Sequence, residues 1–390
     1  MKVLVLGGGR QGSACALELA RQGDVDRVTL ADVDVSEPPA FLEPYLGSRI
    51  EPRSIDATDD RAVRSVMEGV DAVACALPFY FNVRMTELAI EAGAHLCDLG
   101  GNTEIVRRQT ELHQAALAAG VSVVPDCGLA PGMVNVLARG GIDALDHVES
   151  VRIYVGGLPR HPKPPLNYQI AYSLEGVLDY YTTPVLVLED AEVREREPLS
   201  GIEEVEFPEP AGKLEAFFTA GGISMMPYRY AGKVASMTYK TLRYPGHATL
   251  VRALRDLGLL DTEPIDVKGT KIVPRDVFIA AVTPRLSNPD GDDLVAMRVV
   301  VTGTKGGSTR TITYQMVDVQ DVRTGVTAMM RTTGYSLAVT ARLQASGVVP
   351  AGVRTPSDCI PVDAYVAALE AAGVVIERSE AWSPPARDRS

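Results

Sequence analysis

The nine residues YKTLRYPGH put Lys240, Arg243 and His247 around a Pro-Gly turn in a chain that is otherwise acidic. Arginine is the side chain that grips a carboxylate bidentately with a planar fork. Arg243 is therefore the candidate carboxylate clamp. The turn after it fixes the chain direction and lets backbone approach a ligand, while His247 adds a titratable donor. Two aspartates in strand-closing positions, Asp98 in CDLGG and Asp126 in VPDCGLAPG, are the other groups able to move a proton. Either could hold an ammonium, accept its proton or activate water, and either could instead cap its own loop. Which of Asp98, Asp126 and His247 is a base stays open at this level.

Those groups need a scaffold, and the first third of the chain supplies one. KVLVLG, RVTLAD, RSIDA, DAVACALP, HLCDLGG and VSVVPD read as six short strands alternating with helical patterns. Such alternation predicts an α/β fold, a Rossmann-type doubly wound parallel sheet. Into its first crossover falls GGGRQG, where Gly7, Gly9 and Gly12 have GxGxxG spacing, with Arg10 and Gln11 inside the loop. The glycines allow a tight turn, close approach to a pyrophosphate and close helix packing. Asp32 closes the second strand 20 residues after Gly12, where an acid accepts bonds from ribose hydroxyls and repels a 2′-phosphate. The expected cofactor is NAD. Asp56 and Ala57 are expected to border the adenine, and Leu77 and Pro78 to cover the nicotinamide, with Asn82 orienting that region or capping the next helix.

Beyond the sixth strand the pattern turns to prolines and strands. LVAMRVVVTG and TRTITYQMVDV, joined by TKGGS, predict a long hairpin, hence a second α+β domain on a mostly antiparallel sheet. The expected division is a dinucleotide-binding domain at 1–130, a substrate domain at 131–330, helices at 331–380 returning to the first domain, and a frayed tail at 381–390, with fraying expected from SEAWSPP onward. Tyr168, Tyr172, Glu175 and Glu215 are candidates for an aromatic and acidic lining suited to an aliphatic ammonium. Thr332 and Thr333 either meet substrate or cap the last long helix.

Composition removes whole classes of function. With 390 residues and a formal net charge of −12, and no long basic run, the chain is not expected to bind nucleic acid or anionic membrane. No stretch reaches the roughly 18 apolar residues of a membrane helix. Five scattered cysteines without a CxxC pair fit reduced thiols rather than disulfides or a metal site, which points to the cytoplasm. Cys97 and Cys127 have no basic sequence neighbour and read as packing residues.

Several stretches together resemble one family. VLGGGRQG, ALPFYFNVRMTELAIEAGAHLCDLGG, PDCGLAPGMVNVLA, YVGGLP, YSLEGVLDYYTTP, LEAFFTAGG and TLRYPGH are similar to the saccharopine dehydrogenase-like oxidoreductases, from residue 1 to past residue 335. The likeness is greatest to members with lysine 6-dehydrogenase activity. It implies NAD-dependent oxidation of the ε-amine of L-lysine, a substrate-side role for the LRY stretch, and a homodimer or larger homo-oligomer through the second-domain sheet. Saccharopine reductases usually carry an acid in the LxPG turn and a cysteine before GGLP. Ala130 and Val155 stand there, which tells against a saccharopine role and leaves other amine-bearing amino acids open. The alternatives are a saccharopine or carboxynorspermidine reductase-type NAD(P)H enzyme and an NAD-binding protein without turnover.

Overall fold

The computed structural model describes residues 1–170, 173–288 and 291–383. The chain divides into two compact units: Met1–Asp143 with Ile223–Met226 and Asp321–Ile376, and Ala144–Gly222 with Pro227–Gln320 and the segment from Glu377.

The first unit is built on strands β1 (Lys2–Leu6), β2 (Arg27–Asp32), β3 (Ile50–Ser54), β4 (Ala72–Cys75), β5 (His95–Asp98) and β6 (Ser122–Val124), with a last strand at Gly352–Val353. Their order is Gly352–Val353, β6, β5, β4, β1, β2, β3, and every pairing is parallel. Runs such as VLVL and AVAC are buried residue after residue, as a sheet covered on both faces requires. Leu6 pairs with both Ala31 and Cys75, and Cys75 pairs with Asp98. The carboxyl ends of β2, β1, β4 and β5 are thus level, and the strand order reverses between β1 and β4, where such sheets bind ligands.

Helices α1 (Arg10–Arg21), α2 (Asp60–Met67), α3 (Asn82–Ala92), α4 (Thr103–Glu111), α5 (His113–Ala119) and α6 (Met133–Asp143) follow the strands. Asp59 starts α2 by accepting the Arg61 and Ala62 amides. The long helix Ala328–Ala345 lies along α1, and Gly334 sets the approach: a Cβ there would stand 2.6 Å from the Gln11 carbonyl oxygen. The third strand lies a few residues earlier than RSIDA, so Asp56 and Ala57 sit beyond its end, in the turn. Glu51 and Pro52 within this strand are only half-buried, which blurs the apolar signal of an edge strand.

The second unit carries β7 (His147–Pro159), α7 (Leu174–Thr182), β8 (Val185–Glu189), β9 (Glu192–Arg196), β10 (Glu203–Glu206), β11 (Lys213–Phe218), β12 (Val234–Arg243), the small hairpin β13 (Ile265–Val267) and β14 (Thr270–Ile272), then β15 (Asp293–Lys305) and β16 (Ser308–Val319). The main sheet runs β10, β11, β12, β7, β15, β16 and a final strand Glu377–Ser383, with β8 and β9 branching from β12. In this sheet only the β7–β12 pair is parallel among the described residues. Gly306 and Gly307, at φ 57° and 78°, make the two-residue turn between β15 and β16. The expected fraying from Ser379 is corrected: Ser379 pairs with Thr313 and Trp382 with Arg310, and Arg310 and Glu380 form an ion pair. Alternating Glu377, Ser379 and Ala381 on an edge strand carry too little apolar pattern to be read as a strand. Among the described residues no helix is long and apolar enough to cross a membrane.

Candidate functional site

In the first unit the glycine loop does two separate things. Gly7, at φ 95°, donates its amide to Ala31 O at 2.8 Å, and a Cβ on Gly12 would stand 1.8 Å from Gly7 O. Both glycines are demanded by the backbone itself. Gly9 is different: it precedes α1 with no side-chain cap, and nothing lies within 4 Å of a Cβ built there. That open space stands at a helix start with no acid in its first turn, which suits a phosphate. Arg10 is exposed at the first turn; Gln11 is half-buried, with an Oε1 that has no partner.

Asp32 is held by two amides, Gly8 N to Oδ2 at 2.5 Å and Asp34 N to Oδ1 at 3.1 Å. A cleft of about 320 Å³ opens beside it, lined by Leu6, Asp32, Ile55, Asp56, Leu77 and Phe81 among others. Ala57 and Pro78 line it too. Asp56 accepts the Thr58 amide and hydroxyl, which hold its carboxyl below the usual range. Asn82 does not line this cleft. It is 2 % exposed, opens α3 rather than capping it, and its Oδ1 faces the Cys75 thiol. Phe81 is the residue before the helix, so the capping expectation fails because the short turn Phe79–Phe81 runs straight into α3. Val33, Ile55 and Phe81 went unnoticed in the sequence; each directly follows a strand end or a turn, which is the only signal they carry.

Asp98 ends β5, whereas Asp126 lies two residues past the end of β6 rather than closing it, and the two are in very different states. Asp98 is fully buried and saturated: Oδ1 accepts Gly100 N at 2.7 Å and Asp126 N at 3.3 Å, and Oδ2 accepts Gln109 Nε2 at 2.7 Å. Burial still pushes its carboxyl up to about 6. Its work is to hold the loop, as the amide two residues on indicates. Asp126 is 2 % exposed at φ 64°, and neither carboxylate oxygen makes a hydrogen bond of good geometry. Burial, with the Asp98 charge adding to it, pushes its carboxyl up to about 7, against a smaller opposing pull from the Ser224 hydroxyl. A buried, unsatisfied acid in a left-handed backbone is strained in two ways at once. The loop is pinned around it. Ser336 Oγ lies 2.7 Å from Cys127 O and 2.9 Å from Gly128 O, and Asn135 Oδ1 accepts Gly132 N at 2.7 Å. Cys97 and Cys127 are buried, and burial raises both thiols.

Thr333 sits within reach of this loop, its Cγ2 3.5 Å from a Cβ built on Gly128, and its hydroxyl faces Met329 Sδ. Thr332 donates to Ala328 O at 2.8 Å. Neither caps the helix. Thr327 does, accepting Met330 N at 3.2 Å, because the helix starts one turn earlier than the sequence pattern suggests.

In the second unit, Arg243 ends β12 at 4 % exposure. Its Nη1 donates to Leu242 O at 2.8 Å and its Nε to the Tyr181 hydroxyl at 3.2 Å, with the guanidinium 4.9 Å above the Tyr168 ring. The Tyr181 hydroxyl in turn lies 3.1 Å from His247 Nε2, and His247 Nδ1 lies 2.9 Å from Leu166 O. A carbonyl can only accept, so Nδ1 carries the proton and Nε2 receives the Tyr181 O–H. Burial, then the Arg243 charge, drives the imidazole down to about 3. His247 is a neutral positioning group with both nitrogens engaged, which corrects its expectation as a base.

Glu215 is corrected as well. It is the cross-strand partner of Arg243, but its Oε2 accepts Gly246 N at 2.8 Å and its Oε1 accepts Ala248 N at 2.6 Å. It fastens the Pro-Gly turn to the start of the helix His247–Asp256. Glu175 is exposed in the first turn of α7, opposite the buried stripe Leu174, Val177, Leu178 and Tyr181. Helical period turns it away from the cluster. Tyr168 is in the cluster, 6 % exposed, with a hydroxyl that has no partner. Tyr172 lies outside the described residues. Tyr181 is the member the sequence hid: it is the last of the i, i+3, i+4, i+7 stripe and looks like packing.

Two family descriptions match this chain. "Saccharopine dehydrogenase NADP binding domain" covers residues 3–124 and "Saccharopine dehydrogenase C-terminal domain" covers 128–374. The chain belongs to the saccharopine dehydrogenase family. Among curated members, the saccharopine dehydrogenase [NADP(+), L-glutamate-forming] of Saccharomyces cerevisiae is 24% identical over 313 residues, 75% of this chain and 69% of that one. The mitochondrial α-aminoadipic semialdehyde synthase of Mus musculus is 26% identical over 273 residues, 67% of this chain but 29% of its own length. The match therefore spans under a third of the mouse protein. Among solved structures, apo saccharopine dehydrogenase (L-Glu forming) from Saccharomyces cerevisiae superposes with TM-score 0.78 at 22% identity, covering 97% of this chain and 99% of that one. The homospermidine synthase of Legionella pneumophila in complex with NAD gives TM-score 0.69 at 12% identity, covering 100% and 93%. These two likenesses establish the saccharopine dehydrogenase fold. The family is one of oxidoreductases with a nicotinamide-dinucleotide-binding domain, and the cleft beside Asp32 belongs to the portion matching that domain.

Proposed function

We propose that the protein is an NAD-dependent amine dehydrogenase that oxidises the ε-amine of L-lysine. The observation that carries this reading is Asp126: a buried carboxylate with no hydrogen bond of good geometry, pushed up to about 7 by burial against the pull of the Ser224 hydroxyl and the Gly101 amide, has the character of a group waiting for a cation and able to take its proton. A free lysine ammonium has a pKa of about 10.4, and its nitrogen lone pair must be available before hydride can leave the adjacent carbon. Asp126 would pair with the ammonium, accept its proton, and return one during hydrolysis. Asp98 would hold the Asp126 loop and keep a second negative charge nearby.

NAD, when bound, would supply the hydride acceptor. Gly9 and the start of α1 would hold its pyrophosphate, and Asp32 its adenosine ribose, with Ile55, Asp56 and Ala57 bordering the adenine and Leu77 and Pro78 covering the ring. Asp32 and Asp56 favour NAD over NADP, because a 2′-phosphate would face carboxylates without a compensating cation in the cleft's lining.

Arg243 would take the α-carboxylate, its plane fixed by Tyr181 and its face shielded by Tyr168. The balance of the reaction is plain. The C6–H bond breaks with its electron pair leaving as hydride, the C6–N bond becomes an imine, and water adds to C6. Ammonia then departs, leaving the 6-semialdehyde. Its α-amine condenses with the aldehyde, with loss of water, to piperideine-6-carboxylate.

A second reading is a saccharopine or carboxynorspermidine reductase-type enzyme, favoured by the printed activity of the yeast relative. Ala130 and Val155 tell against it. Initial rates of NADH formation decide between them. L-Lysine with NAD should turn over, while ornithine and saccharopine should be poor and NADP at least roughly tenfold less effective. Turnover of saccharopine with NADP, and none of lysine, would replace the first reading with the second.

A further inference from the structure

Between two long stretches of the second unit, the short segment Ile223–Met226 belongs to the first. One buried amide fastens it there. Asn135, in the first turn of α6, accepts Gly132 N at 2.7 Å on its Oδ1 and donates its Nδ2 to Ile223 O at 3.2 Å. The turn that follows Asp126 and the inserted segment are thus held by opposite ends of a single side chain, which fixes one against the other.

The residue this brings to Asp126 is Ser224. It stands at φ 45°, left-handed as Asp126 is at 64°, and is 7% exposed. Few residues other than glycine hold that conformation unless their surroundings impose it, and here two of them face each other. The Ser224 hydroxyl and the Gly101 amide both pull on the Asp126 carboxyl. Yet neither Ser224 Oγ nor either Asp126 oxygen makes a hydrogen bond of good geometry. Three buried oxygens therefore converge with their bonding capacity unused.

A donor with several hydrogens would satisfy them together. A primary ammonium has three N–H bonds, whereas a secondary one has two. Two carboxylate oxygens and one hydroxyl oxygen match the primary cation: the carboxylate offsets its charge, and each oxygen takes one hydrogen. A secondary ammonium would leave Ser224 Oγ buried without a donor. We propose that Ser224 makes the amine site selective for a primary over an N-alkylated ammonium, its Oγ accepting the third N–H of a cation paired with Asp126. The three oxygens are enclosed, so the ammonium enters by parting Ser224 from Asp126. This rests on the reading of Asp126 as the ammonium site, and it adds a ground for preferring lysine to saccharopine, whose bridging nitrogen is secondary.

The test is calorimetric titration of the full chain loaded with NADH, which cannot accept hydride, using L-lysine and Nε-methyl-L-lysine, beside NAD reduction by the same two amines. The native chain should bind L-lysine roughly a hundredfold more tightly. Ser224→Ala should lower the affinity for L-lysine about tenfold and leave that for Nε-methyl-L-lysine unchanged. Ser224→Gly should do the same with its melting temperature held, because glycine accepts φ 45° freely. Asp126→Asn should weaken both amines alike. A gain for Nε-methyl-L-lysine with L-lysine unchanged would make Ser224 a steric wall and overturn the proposal. Equal losses for both amines in the Ser224 variants, the mark of a purely structural role, would overturn it too. L-Lysine oxidised with an unaltered ratio would remove the role of Ser224 alone. L-Lysine bound with the expected selectivity but never oxidised would keep that role and end the dehydrogenase reading, and L-lysine neither bound nor oxidised would end both.

Discussion

Arg243 and Tyr181, 62 residues apart, are joined by a buried hydrogen bond of 3.2 Å from Nε to the phenolic oxygen. The same hydroxyl serves His247 Nε2, so one tyrosine orients both basic side chains of the TLRYPGH turn, while burial and the Arg243 charge keep the imidazole neutral. Tyr181→Phe would leave two buried polar atoms short of a partner, at a cost of about 1–3 kcal/mol of stability. Under the carboxylate-clamp assignment it should raise KM for the amino acid with a smaller change in kcat, and leave NAD affinity alone. Steady-state kinetics with a denaturation curve check this. Unchanged KM would remove Arg243 from substrate binding.

Asp126 has a sharper signature in pH. Its folded-state carboxyl lies at about 7, above the 3.8 of the open chain, so the folded protein binds the extra proton between those values. Its contribution to stability is full below about pH 4 and is lost as pH rises toward 7. Asp98, at about 6, acts in the same direction. Asp126→Asn should flatten the fall and stabilise the protein at pH 8, on the order of 2–4 kcal/mol, while lowering kcat/KM by 10²–10⁴. It should also remove the acidic limb of the rate profile near pH 7. His247→Asn should keep that limb, since the imidazole is already neutral there. The opposite pattern would hand the base role to His247.

The glycine loop separates fold from ligand. Gly12→Ala must displace Gly7 O and should lower the melting temperature markedly. Gly9→Ala meets nothing in the protein, so its melting temperature should hold while NAD affinity falls tenfold or more if the pyrophosphate passes over that residue. Calorimetric titration beside thermal melts distinguishes the two. Equal NAD affinity in the Gly9 variant would move the phosphate elsewhere.

What could be read in advance follows the physics of each signal. The parallel sheet was legible because buried strands such as VLVL and AVAC are apolar at every position, and the lining of the cleft beside Asp32 because residues at or just past strand ends, Asp32, Asp56 and Leu77, converge by topology. The polar partners were not. Glu215 and Arg243 meet only through strand register, and Gly246 and Ala248 then claim both carboxylate oxygens. Asp98 ends β5 and Asp126 lies two residues past the end of β6, and one is saturated while the other makes no hydrogen bond of good geometry. That difference depends on Gln109 and Gly100, whose roles no local pattern announces. Tyr181 carries a helix's apolar period and reveals its hydroxyl's work only in three dimensions.

The most direct test of the lysine assignment is the fate of the hydrogen at C6. With L-lysine deuterated on C6 and unlabelled NAD, the reduced cofactor should carry deuterium at its nicotinamide ring, ammonia should form in equal amount, and the rate should fall relative to unlabelled lysine where hydride transfer limits turnover. Reduced cofactor without deuterium would place the oxidation at another carbon, and no reduction of NAD by lysine at all would contradict the account outright.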